Sequence, residues 1–343
     1  MKKIRAAITG LGRIASLLED DSRREKPCTH AGAIAANPGC ELAGGCDAEE
    51  ERRQLFAERW KVPVYADAAE MIRAQKPEIF VIATHPDSHY HYCRLAADSG
   101  VPVVICEKPL ADTLSAARKI AALSRHGIGT KDNLSAPVII TNHERRYSAD
   151  YMKAKEILAG GKLGDLLSVR AVLYMGKNKR LLDVFWHDGT HLADAIMFLS
   201  GLTLKHRRRW GAKLRELAGT AWLEGELVKH DAGHDNSVPV PVITEVGAGR
   251  DHLVFEMEFS CAKGRLQIGN GVFQVWESDE SPYAEKFRSL KLSNEKFYGP
   301  TGYFANMIAD AVSCVRDPSK HPVSSAADGL NVIKYLSSVK TWK

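Results

Sequence analysis

The sequence predicts an α/β protein of two domains: an amino-terminal doubly wound parallel sheet, then a carboxy-terminal α+β domain on a mostly antiparallel open sheet. Three observations predict it. Short β-rich runs alternate with helical patterns through the first third of the chain, which means βαβ units. A glycine-rich turn, Gly10-Leu11-Gly12-Arg13-Ile14-Ala15, follows the first of those runs directly. After residue 142 the pattern changes to β-rich segments between helical ones, the order of a sheet with helices on one face. At 343 residues the chain is long enough for two cores, and the expected domains are 1–142 and 143–343.

Each element has a local reason. Ile4 to Thr9 is a short apolar strand, Cys40 to Cys46 a second, and Asp47 to Trp60 a charged helix with Leu55, Phe56 and Trp60 as its apolar positions. Ile79 to Ala83 and Val101 to Cys106 read as buried strands, each followed by a helical pattern, His89 to Ser99 and Ala111 to Ser124. In the second part Tyr147 to Ala159 and His187 to Leu199 are helical and flank a strand at Leu166 to Met175. Residues 204–281 are β-rich with glycine turns, and helical patterns at Tyr303 to Cys314 and Ala326 to Val339 follow.

Composition excludes several classes. A hydrophobic fraction of 45% with 26% charged residues is that of a globular protein, neither disordered nor fibrous. A net charge of +5 is too small to argue for nucleic acid, and the cluster from Lys205 to Trp210 reads as a solvated strand edge. The seven cysteines are odd in number, scattered and without a Cys-x-x-Cys pair, which points to a reducing compartment, the cytoplasm. Arg13 interrupts the apolar run after Arg5, so no leader peptide is expected, and no apolar stretch reaches the ~18 residues of a membrane span.

Chemistry enters with the glycine turn. Gly10 permits the tight turn, Gly12 lets a pyrophosphate approach the backbone, and Ala15 allows close packing, while a helix start faces the phosphates. Gly10, Leu11, Gly12, Arg13 and Ile14 are therefore cofactor-binding candidates in a Rossmann-type domain. The acidic residue that binds the adenosine ribose should end the second strand, where Asp47 stands, and a carboxylate there favours NAD over NADP. It stands about 15 residues later than the usual spacing of about 20. The charged segment Ser16 to Thr29 accounts for the excess and reads as an insertion beside the cofactor mouth.

A second motif, Glu107-Lys108-Pro109, ends the Val101 to Cys106 strand. With the glycine turn, Ala83-Thr84-His85-Pro86-Asp87-Ser88-His89, Gly161-Lys162-Leu163-Gly164 and Gly189-Thr190-His191-Leu192-Ala193-Asp194, it makes the chain resemble the Gfo/Idh/MocA family. That family includes glucose-fructose oxidoreductase and inositol dehydrogenase. The resemblance implies that Lys108 contacts the nicotinamide ribose and the reacting hydroxyl, that Glu107, Thr84 and His89 belong to the cofactor site, and that a cis bond precedes Pro109. It implies that His191 is the catalytic base, a role that a neutral imidazole suits. Arg180, His187, Asp188 and Tyr303 are the corresponding substrate-binding candidates.

One departure stands out. The family writes Asp-x-Gly-x-His, whereas this chain has His187-Asp188-Gly189-Thr190-His191, with His187 in the aspartate position. Neighbouring helix positions point about 100° apart, so Asp188 is not an automatic substitute. His187 and His191 at i and i+4 also have metal-pair spacing, but no third ligand is evident, and no metal is expected. Lys177, Lys179 and Arg180 suggest a loop able to meet an anion. The expected activity is hydride transfer between NAD and a secondary hydroxyl or carbonyl of a sugar, cyclitol or polyol. The expected assembly is a homo-oligomer, dimer or tetramer, formed through the carboxy-terminal sheet. An NAD-assisted glycosidase and a non-catalytic NAD-binding regulator are the alternatives.

Overall fold

The computed structural model describes residues 2–126, 135–177, 179–229 and 238–341. The chain divides into two compact units, Met1–Ser148 with Pro300–Ile333, and Ala149–Gly299 with Lys334–Lys343. A single junction at residue 142 was expected; instead residues 300–333 return to the first unit.

The first unit is a six-stranded, all-parallel sheet in the order β3-β2-β1-β4-β5-β6. Its strands are β1 (Ile4–Thr9), β2 (Cys40–Cys46), β3 (Val64–Tyr65), β4 (Ile79–Ile82), β5 (Val103–Cys106) and β6 (Val138–Thr141). The helices are α1 (His30–Ala36), α2 (Glu50–Trp60), α3 (Ala68–Gln75), α4 (His89–Asp98) and α5 (Leu114–Leu123). The strand order reverses between β1 and β4, and open α/β sheets bind ligands at the carboxyl edge of such a switch point. Continuous apolar runs such as Ile79-Phe80-Val81-Ile82, wholly buried, are what a sheet covered on both faces requires.

The unit's core explains why residues 300–333 return. Phe304, Met307, Ile308, Ala311, Val312 and Cys314 are all buried in one cluster with Ile8, Val81, Ile105 and Ile140 of the strands. The spacing 304, 307, 308, 311 is the i, i+3, i+4, i+7 stripe of an amphipathic helix, and the sheet supplies the apolar surface for it.

The second unit holds a short turn, α7 (Leu181–Asp183), and a π-helical segment, Val184–Asp188, that leads into α8 (Gly189–Ser200). Ahead of them are α6 (Ala149–Ala159) and β7 (Leu166–Gly176). Strands β8 (Thr203–Gly211), β9 (Gly219–Val228), β10 (Val240–Arg250), β11 (Val254–Cys261), β12 (Gly264–Gly269), β13 (Val272–Glu280) and β14 (Arg288–Leu292) complete an eight-stranded sheet. Its order is β14-β13-β12-β11-β7-β10-β9-β8, antiparallel except for the β7–β10 pair. Strict alternation along β11, from Phe255 to Cys261, buries every second residue and leaves one face for helices. Two long helices remain, α9 (Tyr303–Arg316) and α10 (Ala326–Thr341). The cluster from Lys205 to Trp210 lies on β8 at the sheet edge, where Arg207 and Arg208 pair with Glu226 and Glu224 of β9.

Candidate functional site

The carboxyl ends of β1, β2 and β4 enclose a cavity of about 640 Å³ lined by Gly10, Gly12, Arg13, Ile14, Asp47 and Thr84 among others. Six sequence-predicted cofactor residues are thus brought to one place. Gly10 adopts φ +83°, and a Cβ there would lie 2.7 Å from the Ala83 carbonyl, so only glycine lets β1 turn this close to β4. At Gly12 a Cβ would meet nothing nearer than the Arg52 guanidinium at 4.0 Å; it would project into the open cradle itself. That space, with a carboxylate at its β2 end, fits a dinucleotide's pyrophosphate and ribose.

Asp47 closes the turn from below. Its Oδ2 accepts the Leu11 N–H at 2.8 Å and its Oδ1 the Glu49 N–H at 3.0 Å, so the carboxylate is fixed while 8% exposed to the cavity.

The phosphate-facing helix departs from expectation. After one turn, in which the Leu18 N–H donates to the Arg13 carbonyl, the chain leaves through a 3-10 turn at Leu17–Asp20. It returns at α1, where the His30 and Ala31 N–H groups donate to the carbonyls of Ile14 and Ala15 at 3.2 and 3.0 Å. The insertion is thus spliced into what is otherwise one helix. Thr29 caps the resumed part by accepting the Gly32 N–H, and the Glu19 carboxylate accepts the Thr29 hydroxyl at 2.6 Å. Glu25 secures the far side, accepting the N–H groups of Thr301 and Gly302 at 2.7 Å each. Arg59 and Trp60 of α2 bind the carbonyl and hydroxyl of Ser16.

Glu107 is buried, 6% exposed, and is not among the residues that line the cavity. Its Oε1 meets His30 Nε2 at 2.7 Å and the Asn142 amide at 2.6 Å, while Oε2 accepts the Lys108 N–H at 3.2 Å. Burial raises its pKa, but the His30 and Asn142 contacts and the Lys108 charge outweigh that, leaving the carboxyl below its usual value. Lys108 is half-buried at the end of β5, and its bond to Pro109 is cis.

His89, expected in the cofactor site, is buried beneath it. Its Nδ1 faces the Leu110 carbonyl and its Nε2 the Thr84 carbonyl, both at 3.2 Å, and burial lowers its pKa. It shapes the turn that presents Thr84 rather than touching the cavity. Glu49, Ser88 and Tyr92 line the cavity without having been singled out, and Arg52, a cation that tempers the preference for NAD, lines it beside Asp47. The i, i+4 spacing of Ser88 and Tyr92 at the start of α4 is the signal that points both the same way.

Comparison with known proteins agrees with this geometry. The model of the oxidoreductase family with an NAD-binding Rossmann fold (Gfo/Idh/MocA) matches residues 4–127. That match covers none of the second unit. A D-glucoside 3-dehydrogenase of Escherichia coli is 26% identical over 214 residues, 58% of this chain and 54% of that protein. An inositol 2-dehydrogenase of Rubrobacter xylanophilus is 32% identical over 127 residues, 37% and 34% of the two chains. The chain thus spans about a third to a half of the length of these curated relatives. A dehydrogenase structure from Chromobacterium violaceum shares the fold at TM-score 0.76 and 14% identity, over 99% of this chain and 95% of that one.

The second unit carries the remaining candidates on one short stretch. His187 and Asp188 end the π-helical segment, and His191 stands in the first turn of α8. Such segments often occur at functional sites. Asp188 Oδ2 is 3.1 Å from Lys179 Nζ, and Arg180 makes two 2.7 Å bonds to Asp183. The anion-binding loop suggested by Lys179 and Arg180 is therefore already neutralised by neighbouring carboxylates. Tyr303, expected with the substrate domain, begins α9 in the first unit, half-buried with its ring against Phe304. Burial raises its pKa, with Arg24 of the insertion bound to it acting in the other direction. Among the described residues no cluster of three His, Cys, Asp or Glu is arranged for a metal ion. No helix among them is long and apolar enough to cross a membrane.

Proposed function

We propose that the chain is an NAD-dependent oxidoreductase acting on a secondary hydroxyl or carbonyl of a sugar, cyclitol or related polyol. The observation that carries this reading is the cavity in which Gly10, Gly12 and Asp47 converge at the β1/β4 switch point. The names of the relatives support the substrate class. A bound nicotinamide supplies the chemistry of hydride exchange.

This chain's residues then have distinct tasks. Leu11 and Asp47 hold the turn and present a carboxylate to the adenosine ribose, a charge that disfavours a 2′-phosphate. Lys108 places a cation beside the substrate hydroxyl, where it stabilises developing alkoxide. His191 takes the hydroxyl proton. Asp188 precedes His191 by three residues, a spacing that sets two side chains on one helix face, so it is our candidate to orient the imidazole although His187 occupies the family position. The balanced charges of Lys179 and Arg180 suit a neutral polyol better than a sugar phosphate. We place the protein in the cytoplasm, as a homo-oligomer through the second unit's sheet.

Titration calorimetry with NAD and NADP, followed by a screen of polyols and sugars for NADH absorbance, tests the reading. Absence of dinucleotide binding overturns it. Binding without turnover of any sugar, together with unchanged properties in Lys108→Ala and His191→Ala, leaves the second reading, a non-catalytic NAD-binding regulator. The histidine in the family's aspartate position favours that alternative.

A further inference from the structure

One cation at the cavity is unexplained by a site that accepts NAD. Arg52 lines the space next to the Gly12 turn, at the Asp47 end where the adenosine ribose of a dinucleotide belongs. A guanidinium in that place is the group that grips a 2′-phosphate. Here it is engaged elsewhere. Its Nε is 3.0 Å from Glu49 Oε2, and its Nη1 is 3.7 Å from Asp47 Oδ2. The Glu49 N–H donates to the other Asp47 oxygen at 3.0 Å, so one turn of chain directs two carboxylates at one guanidinium. Arg53 is occupied too, donating to the Asp47 and Ala48 carbonyls at 2.8 Å each.

We propose that Glu49 is a specificity-determining residue that withholds Arg52 from the 2′-position. This deepens the cofactor assignment and rests on the reading of the cavity as a dinucleotide site. Two devices then act together. Asp47 excludes a 2′-phosphate by repulsion, and Glu49 removes the counter-charge that would offset the repulsion. The tether is partly open to solvent, with Arg52 43% and Glu49 61% exposed, so it has the strength of a surface pair and its loss leaves the fold intact. A gate of this kind is adjustable by one residue, because the cation is already in place.

The test compares wild type, Glu49→Gln, Glu49→Gln with Arg52→Ala, and Glu51→Gln by titration calorimetry with NAD and NADP. Glu51 shares the start of α2 and controls for a general change of charge there. The expected result is about a fivefold gain in the ratio of NADP to NAD affinity in Glu49→Gln, the scale of one exposed pair. The gain disappears in the double variant and is absent in Glu51→Gln. An unchanged NADP-to-NAD ratio in Glu49→Gln overturns the proposal. So does a gain that survives Arg52→Ala, which would assign it to Arg13, or one that Glu51→Gln reproduces. Failure of wild type to bind either nucleotide overturns the dinucleotide reading itself, whereas tight NAD binding with an unmoved ratio overturns the Glu49 role alone.

Discussion

The Leu11 N–H and the Asp47 carboxylate meet at 2.8 Å across 36 residues of sequence. That bond joins the turn after β1 to the end of β2, so one side chain both shapes the cradle and faces the ribose. Asp47→Ala removes both functions and leaves the Leu11 N–H without its acceptor, at about 1–3 kcal/mol. NAD affinity is expected to fall at least tenfold in calorimetry, with a lowered Tm; unchanged affinity would remove Asp47 from the site.

Gly10 and Gly12 are expected to part company. Gly10→Ala places a methyl 2.7 Å from the Ala83 backbone at positive φ and should destabilise the first unit, seen as a large drop in Tm. Gly12→Ala puts its methyl into open space, so Tm stays near wild type while dinucleotide binding weakens. Equal effects on stability would contradict the assignment of the cradle.

Breaking the buried His30–Glu107 pair from either side strands a polar partner. His30→Ala should cost about 3–5 kcal/mol in chemical denaturation, and Glu107→Gln less, because the amide still bonds to neighbours. The pH dependence follows from the lowered Glu107 pKa. The folded state holds the proton more weakly than the unfolded chain, so the stabilisation is full above the unfolded value of 4.5 and is lost as pH falls through the folded one. Glu107→Gln should flatten the acid limb of the stability curve.

His89 adds a second dependence of the same sign at higher pH. Burial lowers its pKa from 6.5, so the unfolded chain takes up the proton first and stability declines as pH falls below 6.5. In His89→Gln that decline should be absent from a series of melting curves, while the acid limb due to Glu107 persists.

The insertion's clamp is open to a simple probe. Glu25→Ala frees the N–H groups of Thr301 and Gly302 at the start of α9, a loss comparable to a missing helix cap, about 1 kcal/mol. Residues 16–29 should then be cut faster by protease, with the rest of the first unit still resistant. Unchanged cleavage would show that Glu25 does not secure the segment.

Much of this was legible in the chain, for physical reasons. Gly10, Gly12 and Asp47 could be read because strand, turn and acidic residue have a fixed local order, and the insertion announced itself as an anomaly of spacing. Short elements escaped: β3 is two residues long, and α3 carries no strong start signal beyond the Asp67 cap. The role of Glu107 escaped as well, because its partner His30 is 77 residues away and nothing local marks the pair. The stripe from Phe304 to Ala311 showed an apolar helix face but not which sheet it would cover. His89 was misplaced for a similar reason: a histidine at a helix start looks the same in sequence whether it faces a ligand or two carbonyls beneath one. The π-helical segment before Gly189 has no sequence signature in composition or period.

The splice at Ala15 also bears on how this chain can change. Since the His30 and Ala31 N–H groups recover the carbonyls of Ile14 and Ala15, the excursion begins and ends at adjoining points of one helical frame. Whatever lies between those points can lengthen, shorten or be rewritten while the nucleotide turn upstream and His30 downstream keep their register. The segment is a ready port of entry for new sequence, natural or designed, just beyond the glycine turn.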